Sequence, residues 1–376
     1  MDRIPGRGGR SRRGGRSRRT DRRRTARTVG AVAAAVLVLA ALGVLVARGR
    51  GSGDGHSATA PPPGTLPLLG TPGDVPDRPA LAVKIDATAG GRPQAGLAEA
   101  DLVVEEVVEG GLTRLLAVYH SRDPATVGPV RSARSTDIGL LAELDRPLFA
   151  WSGANPRFAA AVRAADIVDV GYAAAPDAYQ RSDDRRAPYN LYADPAELRA
   201  AGAAADPDAG PPAPLFAYRP AGGAPGEPDE PGELDEPGAE PAGGLTAGPG
   251  GGLATAIRWD WDGDAATWVR TQDGTPHVDD EGAPVVAANV VIRLTPYRDS
   301  GVRDVRGAVV PEAAMVGDGE AWLLTTGHVV RGRWHKPAPG APTTYTAADG
   351  SPLRLTPGPT WIEVLPPGAG SALPPA

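Results

Sequence analysis

Short apolar runs alternate with polar, Gly- and Pro-marked turns between Arg78 and Asp137, and the unusual polar residues sit at the ends of those runs. LAVKI (81–85) is of strand type and stops at Asp86. Residues 98–101 suit a short helical turn. DLVVEEVVEGG (101–111) and LTRLLAVYH (112–120) read as two strands joined at Gly110-Gly111, a hairpin signal. Period-two alternation places Val103, Glu105, Val107 and Glu109 on one face of the first run, and Val104, Glu106 and Val108 on the other. Carboxylates therefore fall on both faces. Solvated glutamates of an edge strand would explain Glu105 or Glu106 but not both, so one of them is expected to point inward or into a cleft.

The period then lengthens. VGPVRSARSTDIGLLAELD (127–145) passes from an extended entry to a helix that Ser135, Thr136 or Asp137 can cap, with Ile138, Leu141 and Leu144 as its apolar stripe. LFAWSG (148–153) and VDVGYAA (168–174) are strand candidates. NPRFAAAVRAAD (155–166) is a helix with Asn155 as cap and Pro156 at its first position. A polar loop follows and leads into a short helix capped by Asp194. Beyond residue 254 the pattern is of strands: 255–261, 266–270, 289–295, 321–327, 328–334, 343–347 and 360–365, with Asp-Gly and Pro-Gly turns. The mixture predicts an α/β or α+β fold with an internal sheet in the first part and a mostly antiparallel, tryptophan-rich second part.

Two stretches differ in kind. Thr28–Ala47 is twenty residues without a charge, and as a helix at about 1.5 Å per residue it spans the ~30 Å hydrocarbon layer. Twelve arginines crowd residues 1–27 on one side of it. The positive-inside rule then leaves the N-terminus cytoplasmic and exports everything after Ala47. A cleaved signal peptide is the alternative, with a normally shorter apolar core. The expected organisation is a disordered Arg-rich tail (1–27), a single-pass membrane helix (28–47), a flexible stalk (48–77), a first domain (78–219), an acidic Pro/Gly linker (220–253), a second domain (254–366) and a tail (367–376).

Composition narrows the chemistry. The chain has no cysteine, which excludes disulfides, thiolate metal sites and a lipid-modified cysteine anchor. Outside the basic tail the chain is strongly acidic, against general nucleic-acid binding. Lys84 and Lys336 are the only lysines among 39 basic residues. Where arginine is so favoured, a retained lysine suggests a position needing a compact point charge, or chance survival at the surface. No phosphate loop, nucleophile elbow or zinc-helix motif is present, so neither cofactor nor metal is expected.

Four groups could carry chemistry. Arg131 and Arg134 lie at the entrance to the predicted helix and could bind a phosphate or carboxylate. They could equally pair internally with Glu105, Glu106 or Glu109. Lys84 and Asp86 end a strand, with Arg92 in the next loop. Asp86, Glu105, Glu106 and Glu109 could include the two carboxylates of a glycosidase. Trp334 and Lys336 could form an aromatic and cationic platform, and Asn190 lies in a polar loop able to close over a site.

VKID, RPQAGL, ADLVVEEVVEGGLTR, GPVRSAR and APYNLY (83–86, 92–97, 101–114, 128–134, 187–192) resemble the N-terminal part of the YerB-like family of bacterial envelope proteins. NVVI, GDGEAW, GHVVRGRWHKP and GPTWIEVLP (289–292, 317–322, 327–337, 358–366) resemble its C-terminal part. The resemblance implies a layered β/β/α sandwich and an extracytoplasmic place, but no reaction. Many relatives look like lipoproteins; this chain departs from them in lacking cysteine, the hydrophobic helix standing in for the lipid. The combined expectation is a membrane-anchored binding protein for an anionic glycan, peptide or phosphate-bearing envelope ligand. Its cleft would lie between the two parts, lined by Lys84, Asp86, Arg92, Glu105, Glu109, Arg131, Arg134, Asn190, Trp334 and Lys336. An envelope hydrolase or transferase using the carboxylates, and a protein-binding scaffold, are the alternatives.

Overall fold

The computed structural model describes residues 64–220, 234, 236–248 and 253–375. The predicted membrane span and the basic tail lie outside them, and no helix among the described residues is long and apolar enough to cross a membrane.

In chain order the first part gives β1 (Leu81–Asp86), β2 (Leu102–Val107), β3 (Thr113–Tyr119), α1 (Ser135–Leu141), β4 (Leu148–Ala150), α2 (Pro156–Ala164), β5 (Val168–Asp169), β6 (Tyr179–Arg181), β7 (Leu191–Ala193) and α3 (Pro195–Ala205). The second gives β8 (Ala239–Pro241), β9 (Gly244–Ala247), β10 (Ile257–Asp262), β11 (Thr267–Gln272), β12 (Thr275–Pro276), β13 (Val286–Ala287) and β14 (Asn289–Leu294). It continues with β15 (Tyr297–Arg303), β16 (Val309–Ala313), β17 (Gly317–Thr325), β18 (His328–Lys336), β19 (Thr344–Ala347), β20 (Thr360–Leu365) and β21 (Gly370–Leu373).

One sheet runs through both parts in the order β19-β18-β17-β14-β20-β2-β3-β1-β4-β5, with β8 alongside β18. Its seam is the parallel pair β2–β20, in which Val103 faces Trp361 and Glu105 faces Glu363. Both strands are buried along their whole length, as parallel strands covered on two faces must be. A second sheet, β12-β11-β10-β9-β21 with β13 on β11, covers one face. Val83, Val103, Leu115, Trp259, Trp268 and Trp361 fill the space between the sheets. On the other face Val104, Leu116, Phe149, Leu141, Val162 and Ile362 pack together, bringing α1 and α2 against the sheet. The result is a β/β/α stack.

Local chemistry sets the element ends. Asn155 accepts from the Arg157 amide (3.0 Å) at the start of α2, and Asp194 from the Ala196 amide (2.8 Å) at the start of α3. The cap of α1 comes from Asp137, which accepts from the Arg134 amide (2.6 Å). Gly110 turns the β2–β3 corner with φ 69°.

Three boundaries differ from the sequence reading. Residues 370–373, expected as tail, pair with β9. The expected linker contains β8 and β9, held because Ala242 and Leu245 are apolar enough to bury. The stretch expected as stalk is docked from Gly64 onward: Leu68 is buried and its carbonyl accepts from the Tyr218 hydroxyl (2.6 Å).

Candidate functional site

Asp86, Arg114 and Glu106 are cross-strand neighbours on β1, β3 and β2, one row across the helix-covered face of the sheet. Over this row lies the segment 128–134. It is stitched to β1 by Asp86 N–H to the Pro129 carbonyl (3.0 Å) and Arg131 N–H to the Lys84 carbonyl (2.8 Å). Gly128 lets it approach β7 closely: at φ 155° a Cβ there would stand 2.9 Å from the Leu191 carbonyl oxygen.

The charges of this corner are mostly matched. Lys84 is wholly buried and donates to Glu106 (2.5 Å) and Asp137 (2.7 Å). Burial pushes the Glu106 carboxyl up, and Asp137 adds to this, against the pull of Lys84. Arg131 Nε lies 2.7 Å from Asp86 Oδ2, and its guanidinium covers the Tyr189 ring at 5.6 Å. Arg134 grips Glu109 with two parallel bonds (2.6 and 2.8 Å). Burial alone would raise Glu109, but the hydrogen bonds and charge of Arg134, with Arg114 behind, hold it below its usual value.

Arg114 is the exception. It is nine-tenths buried and donates one side-chain hydrogen bond, to the Ser132 carbonyl (3.0 Å). Among the described residues it has no ion pair. Burial, then repulsion from Arg134 and Arg131, brings its pKa down to about 10. Four cations of this corner, Lys84, Arg114, Arg131 and Arg134, face the carboxyls of Asp86, Glu106, Glu109 and Asp137, and Arg114 is the cation that holds none of them directly. A guanidinium so placed can donate to an incoming anion.

The other expected residues lie elsewhere. Glu105 points to the opposite face, where its Oε2 accepts from Arg270 (2.7 Å) and its carboxyl stands across the seam from Glu363. Trp259 donates to Glu363 (2.9 Å), and Arg270 also donates to His277 Nδ1 (2.8 Å), leaving His277 Nε2–H for Gln94 Oε1 (2.8 Å). Burial and the Glu105 charge push Glu363 up to about 8. Burial, then Arg270 and Arg92, push His277 well down, so it is neutral. Glu105 and Glu106 are both buried, so neither is the solvated edge glutamate that alternation allowed.

Lys336 pairs with Glu143 (2.7 Å) and the Ala341 carbonyl (2.7 Å), while Trp334 is buried under the Arg293 guanidinium at 4.1 Å. Lys84 and Lys336 bind different carboxyls, Asp137 and Glu143, and share no partner. Arg92 reaches the second sheet instead, donating to the Gln272 carbonyl and Asp273 (3.1 Å each). Asn190 accepts from Arg181 (2.9 Å) within the β6–β7 hairpin, next to Tyr189. The expected cleft is thus resolved into three separate clusters. Sequence reasoning passed over Arg114 although its register with Asp86 and Glu106 follows from the hairpin it had recognised.

The arrangement belongs to a family. Residues 68–208 match the model described as "Protein of unknown function (DUF3048) N-terminal domain", and residues 252–362 match its C-terminal domain. The chain belongs to this YerB-like DUF3048 family. It is similar to "Putative lipoprotein YerB" of Bacillus subtilis (strain 168), 27% identical over 312 residues, covering 80% of this chain and 86% of that protein. The crystal structure of YerB from Bacillus subtilis superposes with a TM-score of 0.68 at 25% identity, covering 82% of this chain and 99% of that one.

Proposed function

We propose that this protein is an envelope-associated, extracytoplasmic binding module that takes a small anion at Arg114. The observation that carries the reading is the nine-tenths-buried Arg114 guanidinium, which has Arg131 and Arg134 as neighbours and no direct ion pair among the described residues. Phosphate and carboxylate both suit it, since both accept parallel N–H bonds from guanidinium. The relative's name supports a membrane-associated setting. With no cysteine to carry a lipid, the Thr28–Ala47 segment is the natural anchor of this chain.

The test is calorimetric titration of the full chain with inorganic phosphate, pyrophosphate and a muropeptide. Arg114→Gln is expected to weaken binding of the preferred anion by about tenfold or more, with a change in folding stability of under about 1 kcal/mol. Equal binding by both proteins would sink the assignment. A catalytic reading needs two carboxyls near each other in a cleft, one with a raised pKa. Glu105 with Glu363, and Glu106 with Asp137, meet two of those conditions, but all four carboxyls are buried and held on Arg270 or Lys84 rather than open to a cleft.

A further inference from the structure

At the opposite end of β2 and β20 from the arginines lies a cavity of about 210 Å³. Its floor is apolar and buried: Leu97, Val103, Val285, Ala287 and Trp361. Its mouth is formed by exposed residues, Ala98, Arg122 and Val286. The floor and mouth draw on both matched regions of the family, so an occupant would touch the two halves where the seam begins.

Two lining residues carry opposite charges that are not spent on each other. Asp279 is 6% exposed, and its Oδ1 accepts from the Glu281 amide (3.1 Å) and the Ala283 amide (2.8 Å). Its Oδ2 has no hydrogen-bond partner among the described residues. Arg122 stands at the mouth and donates a single hydrogen bond, to the Ala98 carbonyl (2.6 Å). This oxygen keeps contact with solvent, so it is free to accept from a donor that enters the cavity. The volume lies below the roughly 300–1,000 Å³ of drug-sized sites, so the occupant is small.

We propose that this cavity binds a free α-amino acid with an apolar side chain of about leucine size. The ammonium points inward to Asp279, the carboxylate lies at the mouth on Arg122, and the side chain rests on the Leu97, Val103 and Trp361 floor. The site is separate from the arginine cluster and does not rest on that reading.

The experiment is calorimetric titration of the full chain with L- and D-leucine, and with isoamylamine and 4-methylpentanoate, which each keep one of the two charges. One hand of leucine is expected to bind, with each half-ligand about tenfold weaker or worse. Asp279→Asn keeps the turn-forming oxygen and should weaken leucine by about tenfold or more. Val286→Trp, at an exposed position, should close the mouth and abolish leucine binding while leaving the thermal unfolding midpoint of the ligand-free protein as it was. No binding of either hand at about 10 mM, or binding unaffected by both substitutions, overturns the proposal.

Discussion

Glu105 and Glu106 are adjacent in β2, yet they belong to two differently built polar regions. On the second-sheet face, Glu105, Glu363, Arg270, His277, Gln94 and Gln272 form a network with every member buried, in which Arg270 binds a carboxylate directly while Glu105 Oε1 and Glu363 Oε2 stay without a donor. There Arg270 lies between two tryptophans, 5.0 Å from the centre of Trp361 and 5.9 Å from that of Trp259. On the helix face, Glu106 joins Lys84 and Asp137, while Arg114, in the middle of the row between Glu106 and Asp86, donates to a carbonyl and to no carboxylate. The difference teaches that buried charge alone does not mark a site. The first network uses its one cation to hold two carboxyls across the joint between the family's halves. The open corner keeps a cation in reserve.

The strongest way to break this contrast is Arg270→Met. It strands Glu105 and Glu363 without a cation, and a loss of about 3–5 kcal/mol in denaturant unfolding is expected, with no specific loss of anion affinity in the protein that remains folded. A loss under about 1 kcal/mol would mean the network is not the clasp described.

The pH dependence follows from Glu363. Its folded value, about 8, lies above its ordinary value of 4.5. Its contribution to stability is therefore full below about pH 4.5 and is lost as pH rises through about 8. The wild type should lose about 4 kcal/mol over that window through this group, read from unfolding curves at successive pH values, and Glu363→Gln should flatten the slope.

Lys336→Met probes the cluster across the sheet. Burial lowers the Lys336 pKa against the pull of Glu143, which in the variant keeps only Arg293, at 3.9 Å. A cost of about 2 kcal/mol is expected, with anion affinity unchanged. A shared cleft would instead make the affinity fall with it. The smallest effect belongs to Tyr189→Ala, which removes the ring under Arg131. Binding at the arginine corner should weaken about two- to fivefold, with about 0.5–1 kcal/mol lost from the interaction. An unchanged affinity would confine the ligand to Arg114 and Arg134.

Much of the fold was legible along the chain. The run 81–85 became β1, the double-glycine corner joined β2 to β3, and Asn155 and Asp194 capped α2 and α3. Such signals are local, since each depends on a residue's own backbone preferences and near neighbours. The β9–β21 pair was missed because short strands with Gly, Ala and Ser carry a weak apolar pattern and pair only when a distant partner is present.

The candidate site divides in the same way. The chain alone determined that 128–134 would lead into a helix and that β2 would carry carboxylates on both faces, because periodicity fixes which side chains share a face. Which cation met which carboxylate was decided by the tertiary structure. Parallel pairing of β2 with β20 set Glu105 against Glu363, and the crossing of 128–134 over β1 gave Arg131 to Asp86 while leaving Arg114 without a carboxylate. Those partners are far apart in sequence, and a charge has no preferred partner until folding removes water and fixes the distances.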